Sequence, residues 1–257
     1  AAVHTLIEIL GLIIILWFGR NSFGQAYQNP GQFFDLKGIG IAGLMSGVFL
    51  AFYAYIGIED MVHLSEETKK TRSTMPLAIT MAVIISTVLY LLISVVAITS
   101  IPIAELQSSN APLSLVFSKI TTTPVWIITV IALTASAGGV LAHIISGSRL
   151  LYGMAEAGWI HKRLAIVHEK RKTPTFAIAL VVIASALLAS LLDLTILATI
   201  TSFLILFVFL LVNLSLVYIK LRHYKSTQSK LNVPIFVPIL GLISCLILLV
   251  LQIIHLV

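Results

Sequence analysis

PLAITMAVIISTVLYLLISVVAITS, residues 76–100, contains no Asp, Glu, Lys, Arg or His. Its apolar residues run together instead of alternating, which rules out a half-buried strand and reads as a helix. A helix needs roughly 20 mostly apolar residues to cross a bilayer core, and this stretch supplies them. In lipid only a helix or a closed barrel satisfies its own backbone hydrogen bonds. Six similar runs flank it, at about 1–19, 39–62, 124–147, 174–192, 195–219 and 234–256. The expected fold class is therefore all-α transmembrane, with about seven spanning helices in a single transmembrane domain over residues 1–257. Several runs begin beside a proline (Pro76, Pro124, Pro174, Pro234), a residue suited to the first turn of a helix.

The composition agrees. Of the 257 residues, 59% are hydrophobic and 10% charged, against about 25% charged in an ordinary soluble domain. With a mean hydropathy of +1.08, much apolar surface must face lipid instead of water. The net charge of +6 would suggest nucleic acid in a soluble protein, but the distribution of the cations argues otherwise. If the first run points outward, the loops at 63–75, 148–173 and 220–233 lie inside. They hold Lys69, Lys70, Arg72, Arg149, Lys162, Arg163, Lys170, Arg171, Lys172, Lys220, Arg222, Lys225 and Lys230, leaving only Arg20, Lys37 and Lys119 of 16 cations outside. Such a bias orients a membrane bundle with its basic loops in the cytoplasm, so the expected partner is the bilayer and not nucleic acid. One cysteine, Cys245, excludes an internal disulfide and a multi-cysteine metal centre. It is expected in the core or facing lipid.

No hydrolase elbow, zincin motif or phosphate-binding loop is present. An enzyme is not expected, and neither is a cofactor or metal. What remains is a set of polar groups inside apolar helices, which are functional candidates by default. Glu8 sits in the first run without a nearby cation; charged carboxylates are costly there, so it is expected to carry a proton or find a partner. LAFYAYIGIEDM, residues 50–61, places Gly57 before Glu59 and Asp60 at the end of an apolar run. A helix broken there would expose backbone donors and acceptors to a substrate at mid-membrane, with Phe52, Tyr53 and Tyr55 able to close over it. An aromatic-rich helix end in the interfacial belt would have the same composition.

Ser136, Gly138 and Gly139 read first as a helix-packing seam. The basic, amphipathic stretch Ser146–Ala157 is expected to form a short cytoplasmic helix. His143 reads as a hydrogen-bonded core or interface residue, Asp193 as a helix N-cap, and Asn213 and Ser215 as interhelical bonds.

Two stretches, FLAFYAYIGIEDMVHLSEETKKTRSTMPLAI at 49–79 and SGSRLLYGMAEAGWIHKRLAIVHEKRKTP at 146–174, resemble the amino acid-polyamine-organocation (APC) permeases. The first is similar to that family's sixth helix and following loop, the second to the end of its eighth helix and the loop to its ninth. The resemblance implies a LeuT-like fold of inverted five-helix repeats, in which this chain would hold helices five to eleven of a twelve-helix permease. Helices one to four would then be missing partners. The opening AAVHTLIEILGLIII and the closing CLILLVLQIIHLV, both in mid-run, suit a fragment. The resemblance further implies an amino acid substrate, a possible coupling ion (H+ or Na+), and a multi-pass location in the plasma membrane. It matches Tyr53 to the aromatic that covers substrate, Ala54, Tyr55, Ile56 and Gly57 to the unwound segment, and Glu59 to a carboxylate past the break. Glu8 falls where some proton-coupled members carry a lysine. Glu8, Glu59 and Ser136 are thus the candidate coupling or gating residues. The rival readings are a non-transporting truncated paralogue or accessory subunit, and a seven-helix receptor suggested only by the helix count.

Overall fold

The computed structural model describes residues 2–33, 40–63, 71–170, 172–222 and 233–256, and no strand occurs among them. Eleven α-helices follow in order: α1 Ala2–Phe18, α2 Arg20–Gln28, α3 Gly40–Tyr53, α4 Asp60–His63, α5 Thr71–Ser100, α6 Ile103–Ser108, α7 Pro112–Ile120, α8 Trp126–Glu156, α9 Thr175–Leu191, α10 Leu194–Leu221 and α11 Phe236–Leu256. Each apolar run of the sequence contains helix, the second with turns at 54–59. Four of them, in α5, α8, α10 and α11, are long and apolar enough to cross a membrane, and α1 with α2 makes a fifth if that pair, bent by 55°, is one span. The apolar helices in α3 and α9 are shorter. Lys37, Lys69, Lys70, Arg171, Lys225 and Lys230 lie outside the described residues.

The helices group into two packed units, each with its own core. The first holds Ala1–Asp35 and Met81–Val181. Here α1 packs along α8, and Ile15, Val96, Ile101, Val116, Phe117 and Ile128 form the buried centre. Phe18 meets Phe117 edge-on at 6.2 Å between ring centroids. The bend after α1 falls at Gly19, where an added Cβ would lie 2.5 Å from a Val96 methyl. Beyond it Ser22 and Ser100 share a hydroxyl hydrogen bond of 3.1 Å. The second unit holds Leu36–Thr80 and Val182–Val257. In it α10, α11 and α3 pack together around Phe49, Leu206, Cys245 and Leu249. Cys245 is therefore a core residue.

Apolar side chains also cover the outside of these helices: Leu133 is 67% exposed and Leu194 75%. That pattern suits hydrocarbon as the surrounding solvent.

Several local expectations need correction. The segment after α5, read as a plain external loop, contains two short helices. The second, α7, is amphipathic and buries Val116 and Phe117; nine residues are too few to stand out as a periodic run. Ser146–Glu156 is not a separate cytoplasmic helix but the continuous end of α8, anchored by buried Ser146 and Ser148. Pro76 does not open its helix. It lies inside α5, five residues from the start, near enough to the N-terminus that its missing N–H interrupts little of the ladder. Asp193 does occupy the N-cap position of α10, but its side chain makes no capping hydrogen bond. Asn213 and Ser215 bond within their own helix, to the carbonyls of Phe209 and Leu211, each at 2.8 Å, as polar groups in apolar helices often do.

Candidate functional site

The break expected near Ala54–Gly57 is present. α3 stops at Tyr53, residues 54–59 form turns, and α4 resumes at Asp60. Through this stretch the amides of Ala54, Tyr55 and Ile56 donate to carbonyls three residues back, at 3.0–3.1 Å, and those of Asp60, Met61 and Val62 do the same. That is 3-10 spacing, and it replaces the α-helical ladder. Two local causes are visible. Gly57 adopts φ 112°, a left-handed region that residues with a Cβ avoid. Its amide then turns away from the helix and donates to the Glu59 carboxylate at 2.9 Å, a charge-assisted bond. Glu59 thereby closes the turn.

The candidate residues separate by environment. Phe52 packs edge-on against Phe209 of α10, 6.0 Å between centroids, so its ring belongs to the second unit's core. Tyr53 is 37% exposed. Ala54 is exposed, and Tyr55, Ile56, Gly57 and Glu59 are half-buried. A cavity of about 220 Å³ opens one turn earlier, between Met45, Ser46 and Phe49 on α3 and Leu248, Leu251 and Gln252 on α11. None of Phe52–Gly57 lines it.

Of the coupling candidates, Glu59 belongs to this break, whereas Glu8 and Ser136 lie in the other unit. Where α1 packs on α8, Gly11 abuts Ile131 and Gly138 abuts His4: an added Cβ would fall 2.5 Å from Ile131 and 2.8 Å from His4. Glu8 stands between these two contacts on the same helical stripe, level with Thr134 and Ala135, and is exposed. Ser136 and Gly139 are also exposed, and His143 is an exposed residue of α8. The sequence reading passed over His4. Its Nδ1 is buried without a hydrogen-bond partner among the described residues, one turn from Glu8. A histidine four residues before a carboxylate in an apolar run was the available signal.

Apolar helices of membrane-crossing length, with one helix interrupted in an apolar bundle, define a multi-pass membrane protein. A family model described as "Amino acid permease" matches residues 2–257, and the chain belongs to that family. It is a family of permeases, not of enzymes. Among its curated relatives, the branched-chain amino acid permease BcaP of Bacillus subtilis (strain 168) is 26% identical over 95% of this chain and 52% of its own length. The methylthioribose transporter of the same organism is 28% identical over 94% and 51%. The mouse (Mus musculus) cationic amino acid transporter 4 is 27% identical over 74% and 30%. The chain spans about half the length, or less, of the curated relatives it matches.

Proposed function

We propose that this chain is the part of a secondary-active permease, helices five to eleven of a LeuT-like fold, that carries one side of the substrate site. The whole protein would move amino acids or related amines across the plasma membrane by alternating access. The observation that carries this reading is the interrupted helix at Ala54–Gly57. A broken helix in a bundle offers backbone dipoles and unwound N–H and C=O groups to both ends of a zwitterion. Tyr53, at the end of α3, supplies an aromatic face beside those groups, and Glu59 holds the turn through the Gly57 amide. The remaining walls would come from helices outside this chain. The match across the permease family supports the reading, and the relatives' named substrates, branched-chain and cationic amino acids among them, support an amino acid cargo.

In the same scheme Glu8 is the coupling group. Its charge state would change with the transport cycle, as intramembrane carboxylates do in proton relays. The direct test is uptake by the full-length protein in proteoliposomes. Labelled leucine, arginine and a polyamine would be offered under imposed H+ and Na+ gradients. Saturable uptake of one of them, abolished by disrupting the break with Gly57→Val, is the expected result. A folded, full-length protein that binds and transports none of them would defeat the reading and leave an accessory role.

A further inference from the structure

The loop joining α8 to α9 carries features that transport does not use. Its backbone is fixed against the end of α8. The Trp159 amide donates to the Met154 carbonyl at 2.9 Å, Gly158 takes φ 77° to allow the reversal, and a 3-10 turn at Lys162–Ala165 packs back on α8. The loop then closes on itself, with His168 donating to Thr173 at 2.9 Å and Lys172 to His168 at 2.8 Å. It also lies near the start of the apolar zone. Gly147 of α8 approaches Val181 of α9, and Thr175, where α9 begins, is only about 9 Å along the helix from that contact. The apolar run begins at once with Phe176 and Ala177.

Lys162, Arg163, Lys170 and Lys172 are all exposed. None of the four makes an ion pair among the described residues, where the ion pair seen joins Lys119 to Glu105. Against them stand Glu156 and Glu169. Interspersed with the cations are exposed apolar groups: Trp159 at 77%, Ile166 at 52% and Val167 at 39%. In water such side chains are a liability, and a free phosphate ion would gain nothing from them. At a lipid surface both halves of the pattern are satisfied. Tryptophan favours the headgroup level, and cations gain from anionic headgroups within a Debye length.

We infer that the α8–α9 loop is a contact surface for anionic phospholipid. Lys162, Arg163, Lys170 and Lys172 engage headgroups, and Trp159, Ile166 and Val167 sit at the acyl boundary. This rests on the membrane location of the chain and not on the transport reading. The test uses the full-length protein in detergent, titrated with phosphatidylglycerol or phosphatidylcholine and followed by native mass spectrometry. The wild type should favour phosphatidylglycerol by at least about tenfold at low salt, falling as salt screens the contact. Lys162→Gln, Arg163→Gln, Lys170→Gln and Lys172→Gln together should remove most of that preference. Neutralising Lys220, Arg222, Lys225 and Lys230 instead should leave it. Trp159→Ala should weaken binding of both lipids. Melting temperatures without added lipid check that each variant folds. Equal losses in the two neutralised variants would mean a diffuse field and overturn the assignment, as would competition by inorganic phosphate at equal potency. A bimane label at Val167→Cys that headgroup-nitroxide lipid fails to quench in nanodiscs would also overturn it.

Discussion

Tyr53 and Glu59 flank one break and are expected to fail differently. An aromatic face over a cationic or polar group contributes about 0.5–2 kcal/mol. Tyr53→Ala in the full-length protein should therefore weaken substrate binding several-fold while leaving the melting temperature nearly unchanged. Isothermal titration beside a thermal melt separates the two effects, and unchanged affinity removes Tyr53 from the site. Glu59 acts through the backbone: it accepts the Gly57 amide at 2.9 Å. Hydrogen bonds to charged groups contribute about 1.5–3 kcal/mol. Glu59→Ala should thus lower both affinity and thermal stability, and Glu59→Gln, which keeps an acceptor, should recover part of each. A variant that binds normally would show that the turn holds without this bond. Glu8→Gln keeps the shape of the side chain and removes its titratable proton. Gradient-driven uptake should fall while passive exchange of substrate survives; normal values for both would leave Glu8 a solvated helix carboxylate.

At the scale of elements, the seven apolar runs were legible because continuous hydrophobicity needs no partner to be read. The break in the second run was legible from Gly57 and the carboxylates that follow it. The short α6 and α7 were not, because they are too brief to show a period, and the continuity of α8 through Gly147 and Gly153 was hidden by its polar composition. Phe52 was read as a lid, but only the tertiary contact with Phe209 shows it packed away. The α1–α8 seam was legible in the sequence in part, from Gly138, but the α10–α11 seam was not. Asn213 and Gly241 look unrelated there, yet an added Cβ at Gly241 would fall 2.5 Å from the Asn213 Oδ1. Asn213 is tied to the Phe209 carbonyl and cannot easily retreat. Gly241→Ala should therefore destabilise the α10–α11 pair by about 1–3 kcal/mol, as overpacking does. Gly24→Ala, at a glycine with nothing within 4 Å, should be nearly silent. Thermal melts of the two variants in detergent provide the comparison.

For the molecule as a whole, the orientation we propose rests on charge and not on any one contact. The cations concentrate in alternate loops, and moving Lys or Arg across a bilayer during insertion is disfavoured strongly enough to set topology. If the first helix runs outward, the loop between α8 and α9 faces the cytoplasm. Its described residues make that testable, because Lys170 is exposed there and the chain's own cysteine, Cys245, is buried and gives little background. Lys170→Cys should resist a membrane-impermeant maleimide added to intact cells and react once the cells are opened. The reverse should hold for a cysteine at Glu105, in the segment between α5 and α8 that the charge split places outside. Efficient labelling at residue 170 from outside would invert the bundle. The Glu8 carboxylate would then begin its helix from the opposite face.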